Sequence, residues 1–296
     1  MNPQEDLISF AREAIGLSPS EPAELVPFPG RGSDRAYFRL KWRHGSVILA
    51  HYDPKRIENS YFAGIAVFLL ENGVPVPKIL RHDVAGGRVV MEDLGDTDLW
   101  SLRGAPWERR RILYRKTLAA AHRLHSIPED GRLPDRVRLA EPFGPALYRW
   151  ERTYFRENFV SALCGLPLDS RRAEALEDEL ESLASRLSAG GRCLVHRDLQ
   201  SQNVMVPDGE PRLIDFQGMR TGSRFYDLGA LLCDPYVSFA DAERMELLSY
   251  YFGLSPDESA REDFRTAFWE ASAQRLMQAL GAYGFLGLRR GLPDYL

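Results

Sequence analysis

The sequence predicts an α+β protein in two lobes, a small one built on an antiparallel sheet and a larger one that is mostly helical. Three observations predict it. Short β-prone runs broken by glycine and proline fill the first 95 residues. From Trp107 onward, apolar residues recur at helical spacing over several long runs. Between those helices one short hairpin is written into Val204–Ile214. At 296 residues the chain is long enough for two cores.

Gln4 to Ile15 reads as a helix, with Leu7, Ile8, Ala11, Ala14 and Ile15 on the face that covers the back of the small lobe. Leu25–Phe28 and Tyr37–Leu40 are strands joined by the glycine turn Gly30-Arg31-Gly32-Ser33-Asp34, and His44-Gly45 turns the chain into a third strand, Ser46–Ala50. Ile57–Asn72 is an apolar helix stopped by Gly73. Val74–Leu80 is a strand begun by prolines, and Arg88–Met91 is another, running into Glu92-Asp93-Leu94-Gly95. In the larger lobe Trp107–His125, Ala146–Ala162 and Leu168–Ser188 are helices, and the segment beyond Ser238 is helical around Phe268, Leu276, Met277 and Leu280. His122 and His125 stand at i and i+3 without a third ligand nearby, so they read as structural.

Chemistry concentrates in Cys193–Tyr236. His196-Arg197-Asp198 is followed five residues later by Asn203, then by the hairpin, whose second strand ends on Asp215-Phe216-Gln217-Gly218. Phosphoryl transfer needs such a set. It requires positioning and charge neutralisation more than covalent help. Asp198 is the candidate acceptor of the attacking hydroxyl's proton. Asn203 and Asp215 are the candidate metal ligands, since Mg²⁺ takes oxygen donors and keeps several waters, so two protein ligands plus phosphate oxygens suffice.

HRDLQSQN followed by IDFQG resembles the catalytic and metal loops of the protein-kinase-like fold. Gln200 where protein kinases carry lysine, and FQG in place of FG, are similar instead to the aminoglycoside phosphotransferase and choline kinase-like family. Within it, HRDLQSQNVMV, LIDFQGMRTGSRFYDLGALLCDPYV and AQRLMQALGAYGFL look most like bacterial cell-wall amino-sugar kinases, which phosphorylate N-acetylmuramate or N-acetylglucosamine on the anomeric hydroxyl. The resemblance implies a bilobal kinase-like fold in which Met91-Glu92-Asp93-Leu94-Gly95 is the hinge, so that the boundary falls at Gly95 between lobes 1–95 and 96–296; it also implies ATP and Mg²⁺ as cofactors and a small sugar as acceptor. It implies backbone contacts to adenine at Glu92–Leu94 and a phosphate cover at Gly30, Gly32 and Ser33. It makes His196, Arg197 and Asp227 structural, with Asp227 bracing the catalytic loop through backbone N–H groups. It also places the acceptor near Trp150 and Glu151, with Gln200, Arg220, Gln274 and Arg275 as further acceptor-site candidates; from the residues alone Trp150, Tyr154 and Phe155 read better as a plain core stripe, and Arg275, which could meet a sugar carboxylate, reads better as the partner of a neighbouring glutamate.

One departure matters. The third strand ends Ala50-His51-Tyr52-Asp53-Pro54 with no lysine before Lys55, and Gln200 removes the second usual lysine. Triphosphate charge still needs a partner, and arginine grips phosphate through two parallel hydrogen bonds. Arg31, Arg35, Arg39, Arg220 and Arg224 are the candidates, Arg35 first.

A net charge of −4 argues against general affinity for nucleic acid, and no run of eighteen apolar residues suggests a membrane span. The acidic amphipathic start does not resemble a secretory signal, and three widely spaced cysteines read as buried, reduced thiols of a cytoplasmic protein. A monomer or weak dimer is expected. Two alternatives stay open: a phosphotransferase of the same fold for an aminoglycoside, choline or another small alcohol, and a non-catalytic nucleotide-binding pseudokinase. Retention of both Asp198 and Asp215 speaks against the second.

Overall fold

Alternation decides the architecture of the small lobe. In the computed structural model, which describes residues 3–28, 35–128, 133–166, 169–255 and 261–296, helix α1 (Pro3–Ile15) precedes strands β1 (Ala23–Pro27), β2 (Ala36–Trp42) and β3 (Gly45–His51). Helix α2 (Tyr61–Glu71), β4 (Ile79–Asp83) and β5 (Arg88–Glu92) follow. The strands form one antiparallel sheet in the order β1-β2-β3-β5-β4, with Leu25 opposite Leu40 and Leu49 opposite Val90. Successive side chains point to opposite faces, so Leu25, Leu40, Val47, Leu49 and Val90 bury against Phe10 and Ala11 of α1. The other face presents Ala50, Val89 and Met91 to Phe62, Ile65 and Ala66 of α2 and to the core of the larger lobe. Arg81 and Arg88 pin α1 by pairing with Glu13 and Asp6 while their guanidiniums lie over the Phe10 ring.

The larger lobe holds α3 (Trp107–His125), α4 (Pro145–Phe155), α5 (Ser170–Ala189), α6 (Arg224–Leu232), α7 (Asp241–Phe252) and α8 (Arg261–Gly284). Two short ladders interrupt them: β6 (Cys193–Val195) with β9 (Arg220–Gly222), and the hairpin β7 (Val204–Met205) with β8 (Arg212–Leu213). The hairpin turns through Asp208 and Gly209, both at positive φ. Helices approach closely at small residues: a Cβ on Gly229 of α6 would lie 2.8 Å from Ser272 Cα of α8, and one on Gly284 would lie 2.1 Å from Asn158 O.

The lobes are joined at two seams. After Gly95, Val206 N–H donates to Thr97 O and Leu99 N–H to Val204 O, so this linking segment is laid along the hairpin of the larger lobe. Before β4, Leu213 N–H donates to Pro75 O. That second contact explains one misreading. The strand expected over 74–80 begins only at Ile79, because Pro75 and Pro77 have no N–H to donate to a ladder and the Pro75 carbonyl faces β8 instead. Likewise 57–60 is a 3₁₀ turn ahead of α2, and the helix expected to reach Ala162 becomes a wider π-type turn at 156–163, where α8 crosses at Gly281 and Gly284. Cys193 is buried as expected, but Cys164 is exposed.

Candidate active site

The catalytic loop is placed by the main chain before any side chain acts. It leaves β6 at Val195 and turns through Arg197, whose φ of 79° lies in the left-handed region. The buried carboxylate of Asp227 in α6 holds that turn, with Oδ2 accepting from His196 N–H at 2.7 Å and Oδ1 from Arg197 N–H at 2.8 Å. Asp227 is held in turn by His125 Nε2 at 3.0 Å, whose Nδ1 meets the Tyr251 hydroxyl at 2.7 Å. His196 Nε2 donates to Ile214 O at 2.9 Å, and Ile214 N–H donates to Asn203 O at 2.9 Å. Those two bonds stitch the end of β8 to both ends of the catalytic loop, so Asp215 emerges beside Asn203. Asp215 adopts φ 63°, a strained choice for a residue with a Cβ.

The side chains then converge. Asn203 Nδ2 donates to Asp198 O at 2.9 Å and approaches Asp198 Oδ2 at 3.4 Å, which orients its amide oxygen away from Asp198. Gln200 Nε2 also lies 3.4 Å from Asp198 Oδ2. Asp198 Oδ1 is taken by Arg275 Nη2 of α8 at 2.8 Å, and Arg275 Nη1 is set by Gln278 Oε1 at 2.8 Å. Burial is the largest influence on Arg275 and works against its charge, but Asp198, Tyr226, Glu151 and Tyr283 together outweigh it, and the guanidinium's pKa ends above its ordinary value.

Behind Asp198, Glu151 is 1 % exposed, with Oε1 accepting from the Tyr226 hydroxyl and Oε2 from Gln274 Nε2, each at 2.8 Å. Burial pushes the Glu151 carboxyl above its usual range, opposed by those two hydrogen bonds and by Arg197 and Arg275. Arg197 and Arg220 both reach Gly218: Arg220 Nε donates to its carbonyl at 3.1 Å, and Arg197 Cδ would lie 3.7 Å from a Cβ there. Arg220 covers the Phe143 ring, and burial, then Arg197, lower its pKa. Trp150 is 52 % exposed, stacked on Tyr154 at 5.0 Å, and no contact among the described residues carries it to Asp198.

The donor set suits a hard cation. Asn203 supplies an amide oxygen and Asp215 a carboxylate. Gln217 donates its amide to Asp215 Oδ1 and leaves a buried Oε1 without a hydrogen-bond partner among the described residues. Orphaned oxygen beside a carboxylate costs free energy unless a cation or its bound water supplies the missing partner. Among the described residues no cluster of three histidines, cysteines or acids could hold a metal alone.

On the sheet side, Glu92 ends β5 with its N–H donating to Lys78 O and its carboxylate accepting from Lys78 N–H, while Leu94 is buried at the link between the lobes. Arg35 lines a cleft under the sheet, Arg39 is bound to Asp93 and Asp96, and Arg224 lies over Phe225 and Phe264. Gly30, Arg31, Gly32 and Ser33 lie outside the described residues.

The sequence profile of the phosphotransferase enzyme family, APH, matches residues 24–267. The chain belongs to that family. This phosphotransferase is 27 % identical over 293 residues to the N-acetylmuramate/N-acetylglucosamine kinase of Pseudomonas aeruginosa, spanning 97 % of this chain and 83 % of that protein. It is 27 % identical over 269 residues to the protein of the same name from Neisseria meningitidis serogroup B, spanning 88 % of this chain and 78 % of the relative. In fold, the phosphotransferase is similar to APH(2")-IIa from a streptomycin–ATP ternary complex, with a TM-score of 0.66, 16 % identity and coverage of 98 % and 92 %. It is also similar to a choline/ethanolamine kinase family protein from Mesorhizobium loti, with a TM-score of 0.63, 19 % identity and coverage of 98 % and 90 %. The bilobal α+β expectation holds.

Two parts of the phosphotransferase's site were not read from the sequence. Asp234 Oδ2 accepts from both Ser201 N–H and Ser201 Oγ, bracing the catalytic loop's far end as Asp227 braces its start. Asp234 lies just past the end of α6, 33 residues from Ser201, and nothing local in the sequence signals the pairing. Arg275 was expected to meet a sugar carboxylate or a glutamate; it meets Asp198.

Proposed function

We propose that the chain is a Mg²⁺-dependent ATP kinase acting on the anomeric hydroxyl of N-acetylmuramate or N-acetylglucosamine, in the cytoplasm, where free amino sugars from the cell wall are reused. What supports the reading most is the Asp198–Asn203–Asp215 arrangement, stitched together at Asn203 O, Ile214 and His196. In it Asp198 accepts the proton of the attacking hydroxyl as the new oxygen–phosphorus bond forms and ADP departs. Arg275 fixes the direction of its carboxylate. An anomeric hydroxyl is more acidic than an ordinary alcohol, so a carboxylate base needs less driving force there. Asn203 and Asp215 would hold Mg²⁺, which when bound neutralises charge on the nucleotide's phosphates. The Glu92 carbonyl and Leu94 amide would meet the adenine edge. His196 and Arg197 keep structural roles.

The acceptor class draws on one further support: the relatives carry amino-sugar kinase names. The test is direct. The purified protein with Mg²⁺ and ATP is offered N-acetylmuramate, N-acetylglucosamine, kanamycin and choline, and the phosphorylated carbon is read by ³¹P and ¹³C NMR. An anomeric phosphate on an amino sugar is expected. Product only from kanamycin or choline, or no acceptor-dependent ADP at all, sinks the reading.

A further inference from the structure

A carboxylate needs a reason to sit where Glu151 does. It lies in α4 at 1 % exposure, and its two hydrogen-bond partners, the Tyr226 hydroxyl and the Gln274 amide, are neutral. Desolvating a carboxylate against neutral partners costs free energy, and an apolar residue of similar volume would join the helices without that cost. Nor does such depth leave a surface for the acceptor sugar, beside which the family resemblance places this residue.

The neighbours of its two partners supply the reason. Tyr226 precedes Asp227 in α6, and Asp227 accepts from the N–H groups of His196 and Arg197, the two residues before Asp198. Gln274 precedes Arg275 in α8, and Arg275 Nη2 holds Asp198 Oδ1. One carboxylate on a third helix thus grips the residue before each group that fixes Asp198, its backbone turn on one side and its carboxylate on the other. The three helices meet at glycines: α6 and α8 at Gly229, and α4 and α8 at Gly281, where a Cβ would lie 2.9 Å from Tyr154 Cδ1. Smooth contacts of that kind leave helices free to slide and turn, whereas a hydrogen bond is directional and sets the register.

We infer that Glu151 is a positioning residue for the transfer: by holding Tyr226 and Gln274 together it sets α6 and α8 in register, and so aims the Asp198 carboxylate at the acceptor hydroxyl. This rests on the kinase reading, in which Asp198 is the base. Glu151 touches neither substrate nor Asp198. Its two oxygens act through Tyr226 on the brace of the loop and through Gln274 on the guanidinium that turns the carboxylate.

The experiment is steady-state kinetics of the full chain with Mg²⁺–ATP and N-acetylmuramate or N-acetylglucosamine, below the Tm of each protein. Wild type is compared with Glu151→Leu, Glu151→Gln, Gln274→Leu, Arg275→Met and the double variant Gln274→Leu/Arg275→Met. Leucine keeps most of the volume and removes both acceptors. Glu151→Leu should lower kcat ~10–100-fold and leave KM for ATP and for the sugar within about twofold, since a misaimed group costs rate more than binding. Glu151→Gln should recover most of that loss. Its amide oxygen can accept from Tyr226, and its amide nitrogen can donate to the Gln274 Oε1 that has no partner among the described residues. Gln274→Leu should lower kcat alone but add little to Arg275→Met, as expected of residues that act through one another. Full kcat in Glu151→Leu overturns the inference. So does a raised KM for the sugar at constant kcat, which would return Glu151 to the acceptor site. A Glu151→Gln variant as slow as Glu151→Leu overturns it as well, because charge and not the grip would then be what counts. Should Glu151→Leu fail to fold, the Gln274–Arg275 pair decides, and additive losses in the double variant overturn the inference. A wild type that makes no sugar-dependent ADP overturns the kinase reading, and this inference with it, a result distinct from the others.

Discussion

Arg275 Nη2 stands 2.8 Å from Asp198 Oδ1, so a buried guanidinium of the last long helix is fastened to the candidate base of a loop 77 residues upstream. Replacing Arg275 by methionine keeps the bulk and frees that carboxylate to rotate. We expect kcat to fall at least about tenfold with KM for ATP unchanged, since misplaced groups cost rate more than binding. Steady-state kinetics with varied ATP and varied sugar separates the two. A raised KM for the sugar at constant kcat would show that Arg275 binds substrate instead.

Asp198 as the proposed base and Asp215 as the proposed metal ligand should fail differently. Asp198→Asn should lower kcat by ~10²–10⁴ while Mg²⁺–ATP still raises Tm, because binding to the folded state stabilises it. Asp215→Ala should abolish the part of that Tm shift that requires Mg²⁺. Near-wild-type turnover in Asp198→Asn would remove it as the base.

Asp227 accepts two buried N–H groups of the catalytic loop and the imidazole of His125. Asp227→Ala orphans these donors at a cost of ~1–3 kcal/mol each. Urea unfolding should show that loss together with a drop in kcat, since the positive φ of Arg197 depends on the brace. Full stability with full activity would contradict the bracing role.

Glu151 gives a pH signature. Burial raises its folded-state pKa above the ordinary 4.5. A carboxyl with a raised folded pKa contributes stability that is present below its unfolded value and lost as pH rises through the folded value. Glu151→Gln has no such loss, and the unpaired Gln274 Oε1 can accept from the new amide. The variant's Tm relative to wild type should therefore rise between pH 4 and pH 8. A difference that stays flat or shrinks over that range would mean Glu151 is not penalised by burial.

Elements whose periodicity is local were legible before any coordinates. Trp107–His125 was bounded to the residue, and the three inner strands of the sheet were found within one or two residues. The Asp227 brace came from resemblance, because nothing local to Arg224–Leu232 says which backbone groups a carboxylate in it will meet. What could not be read was the work of contacts distant in sequence. The ion pair of Arg275 with Asp198 joins α8 to a loop preceding it by two other helices. The Asn59 tether on Arg35 spans 24 residues, and neither residue type advertises the other. Val74–Lys78 was misread for the same reason: its β-prone residues were visible, but the claim of Leu213 on the Pro75 carbonyl was not.

The two seams between lobes constrain how the molecule can breathe. Thr97 and Leu99 are sewn to the hairpin, while Arg39 and Ser46 grip Asp93, with Asp96 also held by Arg39. Almost nothing is left slack there but the peptide between Asp96 and Thr97. At the other crossing, Pro75 travels with β8. Any swing of the small lobe would therefore pivot like a door on two pins, one at each crossing. It would change the distance from the sheet to Asp215 while leaving the spacing of Asp198, Asn203 and Asp215 untouched.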